Sequence, residues 1–258
     1  MDRRSLAVIS RISVTPVKGF RLDHPESIML DRDGAVGNRR FWLLDGDRKR
    51  LRSSLTPWPV QISARWLADE ERLWMRFPDG GEVEGSALGS GEPFVLDFHG
   101  REVWAQIVAG AWTERLSALA GHPVLLARPR RPGIGMTEPV TFLSDASVAR
   151  LAVEADRPID SRRFRMLFEL SGCEPHEEDA WAGRRFRIGD AVVELGGPVP
   201  RCAVTTRDPD TGTRDLDTLA LIRGYRGVRD GEAIDFGVYA RVERPGRVRV
   251  GDVLRDAA

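Results

Sequence analysis

Cysteine and histidine are scarce in this chain, and their scarcity excludes several classes of protein. The sequence has two cysteines and four histidines in 258 residues. Two thiols cannot build a disulfide framework or supply a four-cysteine iron–sulfur cluster. The histidines have no short-range partners with the spacing of a zinc site; they are His24, His99, His122 and His176. We therefore expect a reducing, cytoplasmic location.

Net charge and long apolar runs are also missing. Lysine plus arginine and aspartate plus glutamate number 39 each, so the chain as a whole has no electrostatic attraction for nucleic acid or an anionic membrane. No apolar run reaches the roughly 18 residues that span a bilayer. The N-terminal sequence MDRRSLAVISRISV is interrupted by Arg11, and it predicts a first strand rather than a signal peptide.

Lysine is nearly absent, and arginine occupies almost all basic positions. Lysine occurs only as Lys18 and Lys49, and Lys49 lies in the charged run DRKRLR. Schiff-base catalysis needs a desolvated lysine, so this chemistry has only two candidates. Any anion site must be built locally, mainly from arginine.

The pattern along the chain predicts a fold that is mainly β with some α. Short β-branched and aromatic segments separated by Gly and Asp turns fill the first half and predict an antiparallel barrel or sandwich. Helical spacing predicts helices in AWTERLSALAG, SDASVARLAVEA and DLDTLALIRGY. The stretch ARPRRPGIGMTEP, residues 127–139, reads as a linker or long loop. We predict two domains, 1–122 and 123–258.

Cys202 is the first candidate for chemistry. Arg201 precedes it, and a cationic neighbour favours the thiolate, which is the form that acts as nucleophile or soft metal ligand. Pro198 and Pro200 remove backbone donors just before the thiol and predict irregular backbone leading into a strand, RCAVTT. A small buried hydrophobic role is the alternative for a lone cysteine.

Two further groups of residues carry charge. Arginines suit a phosphate-bearing, ring-containing cofactor, and surface ion pairs are the alternative interpretation; the basic set is Lys18, Arg40, Arg162, Arg163 and Arg165. Cys173 precedes the acidic stretch EPHEEDAW, which would raise its pKa, so we assign it a structural role. The same stretch is a candidate docking surface for a redox partner, with a solvated loop as the alternative.

An ordered series of motifs resembles the MOSC family, named for the C-terminus of molybdenum cofactor sulfurases. The resemblance covers nearly the whole chain and is greatest to the branch of the mitochondrial amidoxime-reducing component and its bacterial relatives. The motifs, in chain order, are TPVKG, GNRRFWLLD, FLSDASVARL, RRFR, SGCEPHEEDAW, FRIGD, PRCAVTTRDPDTG, TLALIRGYR, FGVYARV and VRVGDVL. The resemblance implies an N-terminal β-barrel-like domain followed by a MOSC β-barrel with flanking helices.

The resemblance also implies a molybdenum cofactor, Mo-molybdopterin, and its binding residues. Cys202 matches the cysteine that ligates molybdenum, and Arg201 matches its neighbour at the cofactor. The other positions that it assigns to cofactor binding are Lys18, Arg40, Ser144, Ser147, Arg163 and Arg165. The family's NFRPN motif is replaced here by Arg163-Phe164-Arg165-Met166-Leu167, which lacks the flanking asparagines and the proline.

The implied activity is reduction of N-hydroxylated or N-oxygenated small molecules by oxygen-atom transfer. The chain has too few cysteines for a cluster and no dinucleotide fingerprint, so we expect a separate flavin or iron–sulfur electron donor. One alternative is a carrier of sulfur or cofactor, in which Cys202 holds a persulfide or a ligand without turnover. A barrel that has lost the cofactor is another, and Cys202, Lys18 and Arg40 argue against it.

Overall fold

The computed structural model describes residues 5–52, 54–98, 100–131 and 137–257. His99 and the central part of the predicted 127–139 linker lie outside the described residues. Three α-helices are present in the described chain: α1 (Trp112–Ala120), α2 (Asp145–Ala155) and α3 (Thr218–Arg226). Short 3-10 helices lie at Trp58–Gln61, Ala68–Glu70, Ser161–Phe164, Glu177–Trp181 and Ala203–Thr206. None of these helices is long and apolar enough to span a bilayer.

Strands make up most of the regular structure in the described residues. In chain order they are β1 (Ser5–Ile12), β2 (Ser27–Asp31), β3 (Gly34–Ala35), β4 (Trp42–Asp45), β5 (Ser63–Leu67), β6 (Arg72–Arg76), β7 (Glu82–Ser86), β8 (Ser90–Phe98), β9 (Arg101–Ile107), β10 (Val124–Pro129), β11 (Val140–Ser144), β12 (Phe168–Ser171), β13 (Arg185–Ile188), β14 (Ala191–Pro200), β15 (Asp235–Arg244), β16 (Gly246–Arg249) and β17 (Val253–Asp256). The predicted mainly β fold with some α is confirmed.

Seven strands close into a barrel in the order β1-β12-β11-β15-β14-β13-β17. All neighbours are antiparallel except β11 and β12, which are parallel. A parallel pair needs a crossover, and α2 lies in the connection between these two strands. The barrel interior is packed with apolar side chains, among them the stacked rings of Phe142 and Phe168, 5.2 Å apart.

The strands of the first half form a four-stranded sheet, β4-β10-β9-β8, and a three-stranded sheet, β5-β6-β7. Both contribute to one enclosed apolar core, since Leu43 and Leu126 of the first sheet cluster with Leu73 and Met75 of the second. Trp112 of α1 is buried in the same core and donates from Nε1 to the carbonyl of Val108 at 3.0 Å. The antiparallel strands therefore surround a core, as in a barrel.

Strand pairing crosses the predicted boundary between residues 122 and 123 in both directions. β1 belongs to the barrel, while β10 pairs with β4 and β9 of the first half. A small third sheet joins β16 to β2 and β3. The two-domain division at this position stays a prediction.

The predicted helix ends agree with the structure. Gly121 ends α1 with φ 72°, a left-handed conformation that glycine adopts without a steric penalty. Ser144 caps α2 by accepting a hydrogen bond from the backbone N–H of Ser147 at 3.0 Å. Asp217 caps α3 in the same way.

The predicted strand at RCAVTT is wrong, because the strand lies before the cysteine. β14 includes Pro198 and Pro200, at positions where its register with β15 is irregular. After Pro200 the chain turns into the 3-10 helix Ala203–Thr206. Threonine hydroxyls favour this turn by bonding to nearby carbonyls: Thr206 Oγ1 donates to Ala203 O at 2.8 Å.

Candidate cofactor site

Cys202 lies where strand β14 ends at the rim of the barrel. Its backbone is extended, and its carbonyl accepts hydrogen bonds from the backbone N–H and the hydroxyl of Thr205, both at 3.1 Å. These bonds use the backbone of Cys202 and leave the side chain exposed. The thiol is therefore presented to solvent by a rigid turn.

Lys18 is a half-buried ammonium close to this thiol. Its backbone N–H donates to Phe41 O at 2.8 Å, and its Nζ lies 4.7 Å from the Phe98 ring centre and 5.7 Å from that of Trp42. The pKa of Lys18 is lowered to about 7, mainly by burial and also by the charges of Arg39, Arg50 and Arg165, whereas a Cys202 thiolate acts in the opposite direction. Lys18, Arg39, Arg50, Arg165 and Cys202 therefore lie close enough to interact electrostatically, and together they form one candidate site.

The side chains of Arg39 and Arg165 each donate a hydrogen bond to a backbone carbonyl. A guanidinium nitrogen of Arg39 donates to Arg165 O at 2.6 Å, and one of Arg165 donates to Phe20 O at 2.6 Å. Burial is the main cause that lowers the pKa of both. Both residues have left-handed backbone, φ 52° and 53°, which is uncommon for arginine and costs free energy.

Arg201 connects the Cys202 turn to the Phe164–Met166 segment. Its guanidinium donates to Phe164 O and to Met166 Sδ, the latter at 3.2 Å, and lies 5.5 Å from the centre of the Phe164 ring. Burial lowers its pKa to about 10, while Cys202 and Tyr239 raise it. Within the described chain, the buried Nε of Arg201 has no hydrogen-bond partner. One donor of this arginine is thus available to a ligand.

Two predicted cofactor-binding arginines make other contacts. Arg40 donates to Pro129 O. Its pKa is lowered mainly by burial and also by the charge of Arg128, whereas Glu71 raises it. Arg163 is 4% exposed and donates to Thr205 O at 3.1 Å, as well as to Arg207 O and Asp215. Arg163 therefore supports the turn behind Cys202. The cofactor-binding roles of both residues stay predictions.

Ser144 and Ser147 are fully buried at the start of α2 and form a network with a buried carboxylate. Their hydroxyl oxygens lie 2.6 Å apart, and each donates to Glu178, at 3.1 and 2.8 Å. The backbone N–H of Ser144 also donates to Glu178 at 3.1 Å. Burial raises the pKa of Glu178. The hydroxyl groups are thus used within the fold, and their predicted contact with a cofactor stays a prediction.

Cys173 lies beside this network and differs from Cys202 in every respect that governs reactivity. It is half-buried and packs against the barrel core. Burial raises the pKa of its thiol to about 12, and the carboxylates of Glu178 and Glu177 raise it as well. Its predicted inert, structural role agrees with this environment.

Much of the acidity of EPHEEDAW is used internally. Glu178 points into the fold, and Asp179 accepts a hydrogen bond from Arg226 at 2.6 Å. His176 Nε2 lies 3.1 Å from the hydroxyl of Tyr225, and burial lowers the pKa of this histidine to about 4. Two of its four carboxylates are therefore committed, while Glu174 is exposed and Glu177 half-buried, so docking at this stretch stays a prediction.

Sequence reasoning missed Arg39, Arg50 and the ring of Phe98. Arg39 is adjacent to the predicted Arg40, and only the left-handed backbone at Arg39 decides which of the two side chains faces Lys18. Arg50 lies in the charged run DRKRLR, 4.1 Å from the centre of the Phe98 ring. The arginine pair in GNRRFW was a signal for Arg39, whereas nothing local distinguished Arg50.

Comparison with known proteins gives consistent results. The model of the MOSC domain matches residues 129–255. Mitochondrial amidoxime-reducing component 1 of Xenopus laevis is 32% identical over 97% of this chain and 82% of its own length. Mitochondrial amidoxime reducing component 2 of Bos taurus is 25% identical over 96% of this chain and 83% of its own. The crystal structure of the YUAD protein from Bacillus subtilis covers 96% of this chain and 93% of its own, with 14% identity and a TM-score of 0.46. On the sequence matches, this chain belongs to the MOSC domain family.

Proposed function

We propose that the protein is a molybdenum-cofactor-dependent reductase of N-hydroxylated small molecules. The observation that carries the proposal is the exposed Cys202 thiol among half-buried cations, namely Lys18, Arg39, Arg50, Arg165 and Arg201. The relatives named as amidoxime-reducing components support the class of reaction. We also propose that residues 1–122 and 123–258 act as two units that meet at this site.

The donor set fits a molybdenum cofactor. A soft thiolate suits molybdenum, and Cys202 is the only exposed cysteine. The cofactor is anionic, and desolvated guanidinium groups bind anions strongly. Among the described residues, the Nε atoms of Arg50 and Arg201 are buried without a hydrogen-bond partner, so each has a donor to offer. Cys202 would ligate the metal, while Lys18, Arg39, Arg165 and Arg201 would hold the negatively charged part.

The bound cofactor would supply two-electron oxygen-atom chemistry, and the chain would supply position and charge. The overall reaction takes an amidoxime, two electrons and two protons to an amidine and water, with cleavage of the N–O bond. The rigid turn at Thr205 fixes Cys202, and the exposed side of the thiol leaves room for a small substrate. The cations beside it would neutralise part of the negative charge of the cofactor.

The proposal is tested on protein produced in a host that makes molybdopterin. We expect close to one molybdenum per chain by metal analysis, and reduction of benzamidoxime to benzamidine with reduced viologen as donor. Protein without molybdenum and without activity would contradict the proposal. A persulfide on Cys202, detected by mass spectrometry in the absence of molybdenum, would instead favour the carrier function.

A further inference from the structure

The two faces of the β8–β9 hairpin differ in chemical character. The register pairs Phe98 with Arg101, and on the opposite face Asp97 with Glu102. Side chains alternate between faces along a strand, so Arg101 and Glu102 are neighbours in sequence that lie on opposite sides of the sheet. The first face is cationic at its hairpin end and apolar and buried further along, whereas the opposite face bears carboxylates and the exposed Trp104.

The cationic face continues into the loop that follows β4. Arg48 lies 4.7 Å from the ring centre of Phe94, and Arg50 and Arg101 lie 4.1 and 5.3 Å from that of Phe98. Arg52 is near Arg50, since its charge lowers the pKa of Arg50. We call Arg48, Arg50, Arg52 and Arg101 the basic surface. Arg48, Arg52 and Arg101 are exposed, and Arg50 is half-buried beneath them.

Of the carboxylates near the basic surface, the exposed Asp47 precedes Arg48 in sequence and offsets part of its charge. Asp97 raises the pKa of Arg50, but its side chain belongs to the other face of the hairpin. Asp45 is occupied by its own turn, where it accepts the backbone N–H groups of Asp47 and Lys49 at 3.0 and 2.8 Å. In the described chain, the ion pairs found include none made by Arg48, Arg50, Arg52 or Arg101. Their charge is therefore directed towards solvent.

The basic surface lies next to the Cys202 site. Lys18 and Arg101 contact the same ring, that of Phe98, at 4.7 and 5.3 Å. Phe20, two residues after Lys18, accepts a hydrogen bond from Arg165, and the adjoining Phe164 accepts one from Arg201, the residue before Cys202. Between a protein bound over Arg101 and the Cys202 thiol there would therefore be the Phe98 ring and the Lys18 side chain.

We propose that the basic surface docks an acidic electron-transfer protein that carries a reduced flavin or an iron–sulfur cluster. This inference rests on the proposed function, since the two electrons that cleave the N–O bond must come from such a donor, which is oxidised as the amidoxime oxygen leaves as water. Charged patches steer weak redox encounters and make them sensitive to salt. Because the basic surface is positively charged, it favours a negatively charged partner. The acidic stretch EPHEEDAW would instead favour a basic partner.

The test measures amidoxime reduction with two donors, reduced flavodoxin of net negative charge and reduced methyl viologen, a small cation. In the double variant Arg52→Glu/Arg101→Glu, we expect the KM for flavodoxin to rise about tenfold or more at low ionic strength. The neutral double variant Arg52→Gln/Arg101→Gln should give an intermediate KM. All three proteins should converge as salt screens the encounter. Turnover with viologen should stay within about twofold, because the Cys202 site is unaltered.

Arg187→Glu is the matched control. Arg187 pairs with Val192 at the start of β14, whereas Cys202 follows the end of that strand, roughly 25 Å away along it. Arg187 is exposed, so its reversal changes the total charge without changing the basic surface. We expect wild-type KM for flavodoxin in this variant.

Two outcomes separate this inference from the proposed function. An unchanged flavodoxin KM and salt dependence in the reversed variant, with viologen turnover intact, would overturn the docking surface alone. Absence of viologen turnover in the wild type would contradict the proposed function. In that case titration of oxidised flavodoxin by calorimetry at low salt still tests the surface: equal affinity for wild type and the reversed variant would overturn it.

Discussion

The surroundings of the two cysteines are opposite in almost every physical property. Cys202 is exposed, lies at a strand end and has Lys18 and Arg201 as its charged neighbours. Cys173 is half-buried, packs against the barrel core and has Glu177 and Glu178 beside it, and its thiol pKa is raised to about 12. The same side chain is thus exposed beside cations in one region, and half-buried beside carboxylates that raise its pKa in the other.

The comparison teaches that charge and burial, rather than residue type, assign a role to a thiol. The ionisable groups around the two cysteines also differ in the direction of their pKa shifts. Around Cys202, burial lowers the pKa values of cations, so this region is poised to gain an anion. Around Cys173, burial raises the pKa of the Glu178 carboxyl, so this region resists gaining further negative charge.

The largest expected effect is loss of activity on substitution of one cysteine but not of the other. Cys202→Ala should remove bound molybdenum and lower amidoxime reduction by at least about a thousandfold, because no other thiol can replace the ligand. Cys173→Ala should retain both within about twofold. Metal content and viologen-driven turnover measure the difference. Full activity in the Cys202→Ala protein would show that the two thiols do not differ in function.

The next effect distinguishes the two adjacent arginines. Arg39→Gln should speed cofactor loss during gel filtration by about tenfold, because Arg39 faces Lys18 and Arg165, and one charge-assisted bond is worth about 1.5–3 kcal/mol. Arg40→Gln should have a smaller effect, since the Arg40 guanidinium donates to Pro129 O. Residual molybdenum in each variant is the measurement, and a greater loss from Arg40→Gln would reverse the assignment.

The stability of the cofactor-free protein should depend on pH through Lys18. Its pKa is about 7 in the fold and 10.5 ordinarily, so between these values the unfolded chain binds more protons. Stability should therefore rise with pH from about 7 to 10, by up to about 1 kcal/mol per pH unit, and fall as pH drops towards 7. Urea unfolding of wild type and Lys18→Met measures this, and equal slopes for the two proteins would contradict it.

The smallest effect has the opposite sign and comes from the Cys173 region. The pKa of Glu178 is raised above its ordinary 4.5, so its contribution to stability is present below about 4.5 and is lost as pH rises through the raised value. Glu178→Gln should reduce this decline and change the pH dependence of the Tm by a few degrees. Glu177→Gln, at a half-buried neighbour, is the control and should retain the wild-type profile.

Sequence patterns predicted the individual helices and strands better than the pairing of strands into sheets. Helix caps at Gly121 and Ser144 follow local rules of backbone and side-chain hydrogen bonding, and both were correct. The pairing of β1 with β12, and of β10 with β4, depends on contacts between distant segments that no local pattern records. The position of the β14 end was missed because prolines were taken to begin a strand rather than to end one.

The site was predictable where one residue type carries the chemistry. Cys202 and Lys18 stand out in the sequence because cysteine and lysine are rare in this chain, and their roles stay predictions. Arginine is abundant, so the sequence does not show which arginines act on Lys18: Arg39 and Arg50 do, and the role of Arg40 stays a prediction. Which arginine turns inward is decided by backbone conformation and burial, which require the folded structure.

The position of β1 also sets the order in which the chain can mature. β1 lies between β12 and β17, so its second edge remains unpaired until residues 253–256 have left the ribosome. The sheets β4-β10-β9-β8 and β5-β6-β7 need nothing beyond residue 129 and can form during synthesis. A nascent chain arrested before residue 253 should therefore show protease-resistant sheets beside a labile β1. Insertion of the proposed cofactor between Lys18 and Cys202 would then follow the synthesis of residues 253–256.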